Sequence, residues 1–162
     1  MDRIDRFRRW FDYEKDSHRK VLSSLGTVPP EGLENPNYQK ALDLAAHLVA
    51  ARWLWLFRFG IAAEGPTDIF PAGVPLADLA SRFGAMHTAW DGYLAKLEPA
   101  ELDRNFEYTA LDGKRYRNQI EDVLTQLFGH SWYHRGQIAL LVRSLGGTPA
   151  VTDLVFWTRV PV

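Results

Sequence analysis

The chain has 162 residues, of which 46% are hydrophobic and 24% charged, with a formal net charge of −1. That length fits one domain over residues 1–162, large enough to bury a core without a staple. The near-neutral charge argues against a nucleic-acid backbone as partner, and the lack of any cysteine excludes a disulfide framework, a thiolate metal site and a cysteine nucleophile.

The first ten residues mix Arg3, Arg6, Arg8 and Arg9 with Asp2 and Asp5, and no apolar signal-peptide core follows. A first helix is expected from about Asp5 to Leu25, with Phe7, Trp10, Phe11, Glu14, His18, Val21, Leu22 and Leu25 at helical spacing. Gly26 and Pro29-Pro30 end it. Asn35-Pro36 reads as the cap and first residue of a second helix reaching about Phe59, with Gly60 as its stop. This stretch holds the longest apolar run, Ala41 to Ala63, but Asp43, His47, Arg52 and Arg58 interrupt it and argue against a membrane span. A soluble, cytoplasmic protein is expected.

Residues 60–75 carry Gly60, Gly65, Pro66, Pro71, Gly73 and Pro75 and read as a surface loop. A third helix follows, about Leu76 to Leu97, with Leu79, Phe83, Met86, Trp90 and Leu94 as its stripe, and Glu98-Pro99 ends or interrupts it. Between Arg104 and Arg117, Asp112-Gly113 flanked by alternating residues points to a short hairpin or an extended connection. The fourth helix is expected from about Tyr116 to Leu145, where Gly146-Gly147 stop it. Four long helices with longer connections after the second and third make an all-α four-helix bundle the expected fold.

On the fourth helix, His130 and His134 lie four apart and so share a face, in a stripe with Val123, Leu127, Gln137 and Leu141. That spacing suits two imidazoles on one metal ion, although two core histidines can equally hydrogen-bond to neighbours. His47 stands on the second helix in the stripe Leu44, Leu48, Ala51 and Trp55, and its ring is expected to face the core. Inward imidazoles on facing helices are how bundles build metal sites. Gln137 and Asp43 are the candidate acceptors for their outer ring protons. His87, beside Met86 and Trp90, is a weaker ligand candidate, and His18, with charged neighbours, reads as partly solvated.

The run His130-x-x-x-His134-Arg135-Gly136-Gln137, the following Leu145-Gly146-Gly147-Thr148-Pro149 and Asp153, and the upstream Ala46-His47-Leu48 with Trp53-Leu54-Trp55 resemble the DinB/YfiT-like superfamily over nearly the whole chain. The Asp112-Gly113 turn leading into Tyr116 fits as well. The resemblance implies an up-down-down-up bundle with long crossovers, a homodimer, and a divalent metal, commonly nickel or zinc, held by His47, His130 and His134. Family members with assigned activity include transferases and isomerases that use low-molecular-weight thiols. Arg135 and Gln137 are then candidates to orient ligands or anchor an acidic substrate. On the structural side, Arg135 pairs locally and Gly136 admits a close helix. Trp53, Trp55, Phe57 and Phe59 are expected mostly as core or interface anchors, while Trp132 and Tyr133 point off the metal face.

Three protein ligands leave an ion at least one open position, as catalytic sites do. With no cysteine in the chain, the leading expectation is an external thiol acting on a small electrophilic substrate, an S-transferase type of reaction. Metal-dependent hydrolysis is the alternative. Ser131, Trp132 and Tyr133 separate the histidines, without the glutamate of an HExxH motif, and Glu121 and Asp122 are too far along the helix. A non-catalytic metal- or ligand-binding dimeric bundle is the third.

Overall fold

The computed structural model describes residues 2–162. Four long helices carry the fold: α1 (Arg3–Leu25), α3 (Pro36–Arg58), α4 (Leu76–Lys96) and α6 (Ile120–Ser144). Short helices α2 (Pro30–Leu33), α5 (Pro99–Leu102) and α7 (Leu154–Thr158), and a hairpin of β1 (Asn105–Thr109) and β2 (Arg115–Gln119), fill the connections. Asp2 caps α1 by accepting from the Asp5 N–H at 2.7 Å, and Asn35 caps α3 ahead of Pro36. The prolines that stop α1 and α4 also start something. Pro30 and Pro99 each take the first position of a short helix, where a missing N–H costs nothing.

Contacts along the helices fix their directions. Between α1 and α4, Arg8 meets Leu94, Lys15 meets Asp91 and His18 meets His87, so these two run antiparallel. Between α1 and α6, Arg3 meets Glu121 and His18 meets Ser131, a parallel pair. Between α3 and α4, Gln39 meets Val74, Arg52 meets Trp90 and Phe59 meets Tyr93, also parallel. The order is therefore up-down-down-up. A parallel neighbour needs a connection that travels the full length of the bundle, which is why the link from α3 to α4 is long. In it, Gly60 and Gly73 take positive φ, a conformation open to glycine.

The fourth long helix starts at Ile120, later than the periodicity indicates. Residues 115–119 pair instead with 105–109 around the Asp112-Gly113 turn, with Tyr108 opposite Tyr116 and Gly113 at φ +79°. The core runs the length of the bundle. Trp90, Phe11, Phe83, Leu56, Met86, Ile120, Leu124 and Ile138 are among its fully buried members. Among the described residues, no helix is long and apolar enough to cross a membrane.

Candidate metal centre

His47 is buried on α3, and His130 and His134 are half-buried on α6, at the seam between these two helices. The Nε2 atom of His130 lies 3.1 Å from the Nε2 of His47 and 3.1 Å from the Nε2 of His134. One ligand nitrogen from each residue lies within 4.8 Å of the other two, so the group could hold a metal ion. Nitrogens about 2.0–2.1 Å from one zinc ion stand about 3.3–3.4 Å apart at the tetrahedral angle, close to the two 3.1 Å separations at His130. The two α6 rings face this seam rather than the bundle axis. The axial positions of α6 are taken by Ser131, Arg135, Ile138 and Val142, all buried.

The outer nitrogens decide what the inner ones can do. His47 Nδ1 is 2.5 Å from the carbonyl oxygen of Ile69. A carbonyl only accepts, so Nδ1 carries the ring proton and Nε2 of the neutral ring is a bare lone pair. His134 Nδ1 donates to Gln137 Oε1 at 2.7 Å, which leaves its Nε2 bare too. Both lone pairs point at His130 Nε2, and a single proton there satisfies only one of them. A cation satisfies all three. Burial favours the neutral form of the two α6 imidazoles: His130 is pushed down to about 4, mainly by desolvation and then by its two histidine neighbours. His134 is lowered by burial, against the pull of its bond to Gln137. Neutral rings are the form that binds a metal.

The loop of residues 59–75 roofs the centre. Phe70 lies flat on the His47 ring, with centroids 4.7 Å apart and planes 12° apart. Asp43, one turn before His47, serves the loop rather than a ring: its Oδ1 accepts from Gln39 Nε2 at 2.8 Å and from the Gly73 N–H at 2.9 Å. A cavity of about 210 Å³ opens beside the centre, lined by Lys40, Asp43, Leu44, Phe70 and two of the triad, His47 and His134.

Arg135 turns away from the centre. Its Nη2 donates to Tyr13 Oη at 2.6 Å, and Tyr13 Oη donates to the Thr152 carbonyl. Gly136 faces open space, with nothing within 4 Å of where a Cβ would stand, so it does not serve a close helix contact. Trp53, Trp55 and Phe59 are half-buried and Phe57 is exposed. Trp132 and Tyr133 lie on the outer surface of α6.

A second polar group occupies the bundle axis. His18 is fully buried, contrary to the solvated setting its sequence neighbours indicate. Its Nδ1 is 3.0 Å from His87 Nε2 and its Nε2 is 3.2 Å from Ser131 Oγ. The two rings are nearly parallel, with centroids 5.3 Å apart, and the short N···N contact makes this an in-plane hydrogen bond rather than a face-to-face stack. Beside them Glu14, fully buried, pairs with the buried Arg52. The Arg52 guanidinium also sits 5.2–5.3 Å from the ring centroids of Phe11, Trp90 and Phe128. Burial pushes the Glu14 carboxyl up, while Arg52 and Arg135 pull it back. Glu14 stands in the apolar stripe of α1 and Arg52 in that of α3, and a charge of each sign at such positions was the available sign of a buried pair.

A model of the DinB family matches residues 4–160. Among solved structures, the fold is similar to that of a DinB-like protein from Bacillus cereus ATCC 10987, at 23% identity and a TM-score of 0.67, covering 90% of this chain and 94% of that one. That identity carries the fold alone. No curated protein matches the chain.

Proposed function

The chain belongs to the DinB family, and from that premise we propose that it is a divalent-metal protein whose three imidazoles hold the ion for reaction with an external low-molecular-weight thiol, an S-transferase type of chemistry. The observation that carries the metal reading is the convergence of three Nε2 atoms, two of them stripped of protons by acceptors on the far side of the ring. A divalent ion with three protein ligands keeps a position open, where it lowers the pKa of a thiol or a water. Nickel and zinc both suit an imidazole set.

The chain's own residues prepare that position. The Ile69 carbonyl and Gln137 fix the tautomer and orientation of His47 and His134. Phe70 covers one face of His47 and limits water access. The cavity beside His47 and His134 is the way in for a small substrate. The thiol itself must come from outside, because the chain has no cysteine.

Metal-dependent hydrolysis is the second reading, favoured by one observation: the Asp43 carboxylate lines the same cavity as His47 and His134, where a general base would stand. Metal analysis of untagged protein and of His134→Ala tests the metal reading. The parent is expected to hold one ion per chain and the variant to lose it while remaining folded. A variant that keeps its metal refutes the centre. Loaded protein is then assayed with a thiol plus a generic electrophile, and separately on ester and amide substrates. A metal-dependent rate only in the second assay replaces thiol transfer with hydrolysis.

A further inference from the structure

We propose that the cavity beside the triad is a subsite for the zwitterionic end of a free amino acid, with Lys40 taking its carboxylate and Asp43 its ammonium, while its side chain carries the donor atom toward the ion. The inference rests on the metal and thiol reading above and deepens it.

Lys40, Asp43 and His47 are at positions i, i+3 and i+7 of α3, so they lie along one helix face about one turn apart. All three line the cavity, with His134 opposite from α6. The charges there are unspent. Elsewhere on the surface the chain pairs such neighbours, as Asp16 does with Arg19 and Lys20. Among the described residues Lys40 makes no ion pair, with Asp43 or with any other carboxylate. Asp43 uses one oxygen, Oδ1, for both of its hydrogen bonds, to Gln39 and Gly73. Those bonds hold the carboxylate in place and leave Oδ2 for a ligand.

A cation and an anion one helical turn apart match the two charges on a single α-carbon. A ligand bearing only one charge leaves one of them unanswered. Leu44, Phe70, Pro71 and Ala72 supply apolar walls for the carbon atoms in between. The volume, about 210 Å³, falls below the usual range for drug-sized ligands and suits one amino acid rather than a whole peptide thiol. A larger thiol would seat its cysteinyl part here only if both backbone charges were free.

The test uses the full chain loaded with cobalt(II) and four thiols: cysteine, cysteamine (no carboxylate), 3-mercaptopropionate (no ammonium) and 2-mercaptoethanol (neither charge). Binding is read from the sulfur-to-cobalt charge-transfer band. Each matching charge is expected to strengthen binding about fivefold at low salt, the scale of a partly exposed ion pair. Lys40→Met removes the advantage of the two carboxylates and leaves cysteamine unchanged. Asp43→Asn keeps an oxygen for the Gly73 N–H, removes the advantage of the two amines and leaves 3-mercaptopropionate unchanged. Chelation of cobalt by the amine would not respond to either variant, so affinities that ignore both substitutions overturn the subsite. Equal binding of all four thiols overturns it and leaves thiol ligation standing. No charge-transfer band with any thiol removes the thiol reading, and no cobalt bound removes the metal reading, the inference falling with either.

Discussion

Two histidine groups share this bundle, and they differ in how their protons are spent. At the axis, His87, His18 and Ser131 form a chain in which every contact pairs a donor with an acceptor, whichever way the protons run. The group is complete without an ion. At the α3–α6 seam, two of three imidazoles give their proton to an outward acceptor, and the inner nitrogens are left facing one another. Both groups hold close imidazole pairs, at 3.0 and 3.1 Å, so proximity does not separate them. What separates them is the acceptor on the far side of each ring. The axial group ties helices together, and the seam group turns lone pairs toward a point that a metal ion could occupy.

That contrast is broken most forcefully at Arg52. Arg52→Met strands the fully buried Glu14 carboxylate without its close partner. Removing one member of a buried pair costs about 3–5 kcal/mol, read as a lower urea midpoint of the metal-free protein. Metal affinity of the molecules that remain folded should not fall, because Arg52 makes no hydrogen bond to the triad and its positive charge acts on His130 against a cation. A variant that keeps its stability but loses its metal would merge the two regions into one.

Gln137→Leu probes the other side with a smaller effect. It removes the acceptor of the His134 ring proton and frees that imidazole to turn or change tautomer. Metal affinity is expected to fall about 10–100-fold, the usual consequence of losing such an outer partner. The urea midpoint of the metal-free protein should move little, since Gln137 is only half-buried. Competition with a chelator of known affinity measures the first, and the unfolding curve the second.

How much of this was legible in the sequence follows the same line. The spacing of His130 and His134 puts those two rings on one helix face, because side-chain periodicity is local information, whereas only the family resemblance points to His47 as the third member. The Ile69 carbonyl that sets the His47 tautomer was not legible. It is a backbone atom, presented by a long loop whose course only tertiary packing determines. The charged Lys15, Asp16, Arg19 and Lys20 around His18 in sequence suggest a solvated ring, yet those side chains lie on other faces of α1. Its own stripe, Phe7, Phe11, Glu14, Val21 and Leu25, is entirely buried. Arg52 read as an interruption of an apolar run, whereas it is the counterion of Glu14 across the axis. The apolar pattern runs back through Tyr116 and suggests an earlier start for α6, and only the pairing of β2 with β1 claims that residue for the hairpin.

Acid sharpens the comparison with the smallest expected effect. His18 is lowered well below 6.5, by burial first and then by His87, Arg52 and Arg135. His87 is lowered to about 4, by burial and by Arg52 and Lys15, with Asp91 opposing. Glu14 lies in the same group, and burial pushes its carboxyl up. Both imidazoles are therefore neutral in the fold and charged in the unfolded chain below about pH 6.5. Above that pH neither state binds the proton, and the pair leaves stability unchanged. As pH falls from 6.5 toward 4 the unfolded chain takes up protons that the fold excludes, and stability declines. His130 and His134 are lowered too and act in the same sense, so the axial share must be isolated. His87→Gln does this, because an amide can still bond to His18 Nδ1 but does not titrate. Urea midpoints of chelator-treated parent and variant, compared at pH 7 and pH 5, should converge on acidification, the parent losing more. Parallel losses would mean that His87 titrates alike folded and unfolded, and that the axial chain is not the proton-excluding group its burial implies.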